Sequence, residues 1–163
     1  MAMITDRTHA DCERARYLID KVHAGATLTD AERAEYFRGL RGCYTMAHDW
    51  NRVEAAVEEI SNAYGMQLKT KTNWTYNDIA TQNEVERYLK NVQHIRGYIN
   101  SELNPPEAPT IDDWIDYRVA NAIEMILSMA AGNIVEVLLA TSDEELLITS
   151  DGDYLAVTMV AGT

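Results

Sequence analysis

Arg52-Val53-Glu54-Ala55-Ala56-Val57-Glu58-Glu59-Ile60 places Val53, Ala56, Val57 and Ile60 three and four residues apart, with acids between them. That spacing is one apolar stripe on a chain that turns every 3.6 residues. Arg118-Val119-Ala120-Asn121-Ala122-Ile123-Glu124-Met125-Ile126 repeats the pattern, and Glu84-Val85-Glu86-Arg87-Tyr88-Leu89-Lys90-Asn91-Val92 is a weaker copy. Aromatic residues stand upstream of the three: Trp50, Trp74 with Tyr76, and Trp114. The copies read either as patterning shared by any packed helices or as a repeated loop-plus-helix unit. Both readings make the chain mainly α-helical.

Working outward, Asp6 or Thr8 caps a first helix that runs to about Val22 and ends at Gly25. Thr29-Asp30-Ala31-Glu32 is a capping box that opens a second helix to about Leu40. The quoted stretch belongs to a third helix, Asp49 to Ala63, with Gly65 placed as its C-terminal cap. Lys69 to Asp78 is polar and reads as an ordered loop. Thr81-Gln82-Asn83-Glu84 opens a fourth helix to about Asn100, and Asn104-Pro105-Pro106-Glu107-Ala108-Pro109 makes a stiff linker. Thr110-Ile111-Asp112-Asp113 supplies an acidic start for a fifth helix ending near Gly132.

After Gly132 the period changes. Ile134, Val135, Val137, Leu138 and Leu139 read as strand, as do Leu146–Thr149 and Tyr154–Met159, with Asp151-Gly152 as a hairpin turn. Leu138–Glu145 and Leu146–Asp153 are tandem units of apolar strand plus acidic turn, and Tyr154 begins a third. The expected fold class is therefore a bundle of about five helices with a short C-terminal antiparallel β-meander. The division falls between a helical body, residues 1–132, and a tail, residues 133–163. A three-stranded meander is marginal alone and has open edges. Leu138, Leu146, Ile148, Tyr154, Leu155 and Val157 thus form a candidate assembly surface, and a homo-oligomer is expected.

The 163 residues suit one domain with a small appendage, and 47% hydrophobic residues supply a core. A net charge of −12 repels phosphate backbones and anionic membranes, so nucleic acid is not an expected partner. No apolar run is long enough to span a bilayer: the longest, around Ile123–Ala131, is broken by Glu124 and Ser128. No basic-then-apolar leader opens the chain, so synthesis in the cytosol is expected.

Site chemistry is sparse. His9, Cys12, Cys43 and His48 faintly suggest a zinc set, but two of them start a helix rather than a knuckle, and core or turn roles suit the cysteines better. Cys43 and His48 lack a third orienting group for nucleophilic catalysis. Asp112, Asp113 and Asp116, and the tail acids Asp143, Glu144, Glu145, Asp151 and Asp153, have no EF-hand spacing and read as caps and solvated turns. Phosphate-loop, dinucleotide, HExxH and GxSxG motifs are absent. No catalytic residue, metal or cofactor is expected. Trp74 and Tyr76, in their polar loop, are the candidate surface-binding aromatics, although packing is the commoner fate of a tryptophan.

Leu28-Thr29-Asp30-Ala31-Glu32, then Gly39-Leu40-Arg41-Gly42-Cys43-Tyr44-Thr45, then Asp49-Trp50-Asn51-Arg52-Val53-Glu54-Ala55-Ala56-Val57 resembles a segment of structural proteins from phages and prophages of Gram-positive gut bacteria. Their pattern is a Gly-x-Tyr-Asn turn followed by an Asp-Leu-Asn-Arg-Val-Glu helix start. Trp74-Thr75-Tyr76-Asn77-Asp78-Ile79-Ala80-Thr81 with Tyr88-Leu89-Lys90-Asn91-Val92 is similar to a second segment of that family. This chain departs at Thr45, Trp50 and Ala80, where the family has Asn, Leu and Pro. The resemblance spans about residues 5 to 100, and more loosely the tail, which resembles short acidic β-repeats at the ends of virion proteins. It implies a particle component in a tail, baseplate, neck or fibre attachment, located in the virion, partnered by other particle proteins, and not an enzyme. Two alternatives stand beside it: a module binding a host-surface glycan or protein, and an acidic regulatory or inhibitory protein.

Overall fold

The structure is a computed structural model that describes residues 3–99, 103–112 and 116–141, with two short strands beyond. It is mainly helical. In chain order the elements are α1 (His9–His23), α2 (Asp30–Arg38), a π-helical turn (Met46–Trp50), α3 (Asn51–Ala63), α4 (Gln82–Tyr98) and α5 (Tyr117–Thr141). Strands β1 (Leu147–Ile148) and β2 (Tyr154–Leu155) follow, paired antiparallel with Leu147 opposite Leu155.

Three helices begin on reciprocal capping boxes: Thr8 with Asp11, Thr29 with Glu32, and Thr81 with Glu84. Each hydroxyl accepts from the third helical amide while the carboxylate accepts from the threonine amide, so two orphan donors are satisfied at each start. Gly25, Gly39 and Gly65 follow α1, α2 and α3 with φ of 67°, 101° and 67°. That left-handed backbone, open to glycine, stops the helices where the sequence suggests.

Helices α3, α4 and α5 pack on one another and hold the core. Val53, Val57 and Ile60 of α3 meet Tyr88, Leu89, Val92 and Ile95 of α4, and Ile123, Ile126, Leu127 and Ala130 of α5. The three repeated stretches are therefore the three mutually packed helices. Helix α1 buries Ala15 and Leu18, whereas the one buried residue of α2 is Glu32. Helix α2 is instead tied to α1 by Lys21–Glu32 at 2.7 Å and Arg14–Glu35 at 2.8 Å.

The fifth helix differs from expectation at both ends. Its start lies at Tyr117, where Asp116 Oδ1 accepts from the amides of Arg118 (2.8 Å) and Val119 (3.1 Å). Asp112 and Asp113 precede that cap. At the other end the helix passes Gly132 and continues to Thr141. Gly132 has no left-handed φ, so it lacks the geometry that makes a glycine a stop. The run from Ile134 to Leu139, read as strand, is helical, and Leu138 is a helix residue. Apolar runs of this length fit a strand or a buried helix equally. The boundary expected at 132 thus falls inside α5. Ile148, Tyr154 and Leu155 lie on the paired strands, whereas Leu146 and Val157 lie outside the described residues.

Ile126 is fully buried between α3 and α4. Ile126→Ala is expected to lower the unfolding free energy by about 2–5 kcal/mol, read from a urea denaturation curve.

Candidate functional site

The segment Asp49-Trp50-Asn51-Arg52-Val53-Glu54 forms the polar centre of the molecule. Spacing on one helical turn sends its side chains to different neighbours. Asp49 Oδ1 accepts from Arg52 Nη2 (2.6 Å) and Arg7 Nη2 (2.9 Å). Asp49 Oδ2 accepts from the Thr45 amide at 2.7 Å, which closes the turn before α3. Glu124 of α5, with no exposed surface, accepts from Arg7 Nη2 (2.7 Å) and from Arg52 through Nη2 (2.6 Å) and Nε (3.1 Å). The Ile4 amide gives Glu124 a further bond at 2.6 Å. Two carboxylates and two guanidiniums thus neutralise one another. Burial opposes the charge of Arg52, but its bonds to Glu124 and Asp49 outweigh that and raise its pKa.

Asn121, one turn before Glu124, binds Arg7 on both backbone faces. Its Oδ1 accepts from the Arg7 amide at 3.1 Å and its Nδ2 donates to the Arg7 carbonyl at 2.9 Å. The N-terminal strand of chain is thereby sewn onto α5. Among the buried atoms, Arg7 Nε has no hydrogen-bond partner.

The other two polar residues of the motif hold the loop before α4. Asn51 Nδ2 donates to the Trp74 carbonyl and the Trp74 amide donates to Asn51 Oδ1, both at 2.8 Å. Glu54, fully buried, takes both Nη atoms of Arg87 and the Lys71 amide. Arg87 Nη1 and Asn91 Nδ2 also donate to the Lys69 carbonyl, at 2.7 and 2.9 Å. The polar loop is ordered, as expected, because α3 and α4 satisfy its backbone.

That anchoring decides the two candidate aromatics. Trp74 is 3% exposed and meets Trp50 edge-on at 5.2 Å, so it is a core residue and not a surface aromatic. Trp50 in turn stacks on Tyr88 at 4.5 Å, and the hydroxyls of Tyr88 and Tyr44 are hydrogen-bonded. Burial raises the pKa of both phenols. Tyr76 is 73% exposed and its hydroxyl bonds His48 Nε2. It borders two hollows. One, of about 460 Å³, is lined by Tyr36, Phe37, Leu40, His48, Asp49 and Arg52 together with Tyr76. The second, of about 440 Å³, is lined by Met46, Trp50 and Val85.

Phe37, 77% exposed, lines the first hollow, and Ile79, 89% exposed, precedes Ala80 of the second in sequence. Sequence reasoning missed them because each sits in a short segment without a periodic apolar face. Of the suggested zinc residues, His9 pairs with Glu13 on α1 and His48 is engaged by Tyr76, while Cys12 lies against Gly42, the neighbour of Cys43. Among the described residues no group of three or more metal-ligating side chains converges, and no helix is long and apolar enough to cross a membrane. Comparison with protein-family models, with curated proteins and with solved structures finds no match to this chain.

Breaking the charge hub leaves a buried guanidinium uncompensated. Glu124→Ala is expected to cost about 3–5 kcal/mol in a denaturant titration, well beyond the effect of a surface glutamate substitution. A pH effect arises at the caps. Lys21 and the Thr29 amide hold Glu32 at about 2, and Thr81 and Lys71 hold Glu84 at about 2, against a usual 4.5. A carboxylate pKa lowered by folding stabilises the fold above its unfolded value and loses that contribution as pH falls through the folded value. The Tm is therefore expected to fall between about pH 4.5 and 2, and less steeply in a Glu32→Gln/Glu84→Gln variant.

Proposed function

We propose that this chain is a structural component of a phage or prophage particle and works by protein–protein assembly. The observation that carries the reading is the use made of the motif behind the resemblance. Asp49, Asn51, Arg52 and Glu54 bind the N-terminal segment, α5, the Trp74 loop and α4. A motif spent on internal staples fits a family whose common property is a shape. The exposed Phe37 and Tyr76, which line one hollow, and the exposed Ile79 supply apolar surface for a neighbour in this reading. The tail strands add a sheet edge for the same purpose in this reading, and other particle proteins or further copies of the chain are the partners.

Binding of a host-surface glycan is a second reading, favoured by the exposed ring of Tyr76 beside His48. Trp74 has no part in it.

Particles banded on a density gradient are expected to contain the chain, detected by antibody, and its absence from them would overturn the assignment. A chain shortened to residues 1–141 keeps α5 whole. Incorporation is expected to fall for this chain and for Phe37→Asp/Tyr76→Asp, each checked for folding by circular dichroism. Glycan-array binding abolished by Tyr76→Ala, with no incorporation, would favour the second reading.

A further inference from the structure

Cys12 and Cys43 are thirty-one positions apart in sequence, yet the fold brings them to one place. Cys12 Sγ lies 3.4 Å from the carbonyl oxygen of Gly42, the residue bonded to Cys43. The backbones there are in direct contact: a Cβ on Gly42 would fall inside the backbone of Asp11 and Cys12. A disulfide needs Cα atoms within about 7 Å, and the Gly42 contact brings the backbone of Cys12 to within one residue of Cys43. Both cysteines are free and partly exposed, so a small oxidant reaches them.

We propose that Cys12 and Cys43 form an intramolecular disulfide when the chain meets a low-molecular-weight disulfide such as oxidised glutathione. One cysteine thiolate attacks a sulfur of oxidised glutathione and expels one glutathione thiolate. The second cysteine thiolate then attacks the mixed disulfide at the protein sulfur and expels the other. Two protein thiols are oxidised to one disulfide, one glutathione disulfide is reduced to two thiols, and the two protons given up by the protein thiols end on the two expelled glutathione thiolates.

The bond would tie α1 to the turn between α2 and α3. That join is otherwise polar: Arg41 bonds Asp6, and its Nε lies 3.6 Å from Asp11 Oδ2. Cys43 also lines the cleft beneath Tyr36 and Phe37, so the bond would fix one cleft wall. Burial, with the nearby Asp11 and Asp49 charges, raises the pKa of both thiols, so exchange is slow at neutral pH and faster in mild alkali.

The test uses the full chain incubated with oxidised glutathione at about pH 9. Intact mass and peptide mapping then locate the bond. A loss of about 2 Da, a Cys12–Cys43 linked peptide, and a Tm that rises on oxidation and returns with dithiothreitol are expected. Cys12→Ser and Cys43→Ser should show neither the linked peptide nor the Tm change. A stable glutathione adduct on either cysteine, a disulfide-linked dimer, or two unmodified thiols would each overturn the proposal.

Discussion

A carboxylate with no exposed surface, set in the middle of a helix bundle, has to be met by positive charge or it will not stay ionised. Glu124 is that carboxylate, and much of the architecture follows from how it is met. Arg52 reaches it from α3 with two donors, and Arg7 reaches it from the segment before α1. Asp49 takes the remaining charge of both guanidiniums. The price is positional: helix α5 has to lie where Glu124 and Asn121 face α3 and the N-terminal segment together. A buried pair is costly to break yet close to neutral against a well-packed apolar substitute, so the cost of removing one partner exceeds what the hub adds to net stability.

The same logic operates a second time between α3 and α4. Glu54 accepts from the Lys71 amide and Asn51 binds the Trp74 backbone on both faces, and through them Trp74 is placed against Trp50. A loop rich in Thr, Lys and Asn thus carries a buried indole. Lys71 Nζ sits 3.5 Å from the centre of the Trp74 ring and bonds Glu84, the capping glutamate of α4. Helix start, loop and aromatic core are consequently one unit.

Helices α1 and α2 are attached differently. Arg7, just before α1, reaches Asp49 and Glu124, the Gly42 turn lies against α1, and the ion pairs Arg14–Glu35 and Lys21–Glu32 join α2 to α1. A nine-residue helix without buried apolar side chains has little reason to be stable alone. Its Phe37 is exposed and lines the cleft that His48 and Tyr76 border.

The caps and the apolar stripes were readable in the sequence because they are local. Thr29 with Glu32, and Thr81 with Glu84, need three residues of context, and Val53 to Ile60 needs eight. The three related stretches therefore identified the helices that form the core. Gly132 misled because a glycine signals a helix end only through its φ, which residue type leaves open. Trp74 stands as a surface candidate beside the commoner packing role because its neighbours are polar, and nothing local says that Asn51 and Glu54 take up the hydrogen bonds of its loop. Only the tertiary structure joined Arg7, Asp49, Arg52 and Glu124, set Cys12 against Gly42, and left Tyr76 outside. Apart from Asp49–Arg52, those contacts cross from 30 to 117 positions of sequence, and a charge pair or a backbone approach at that range leaves no periodic trace.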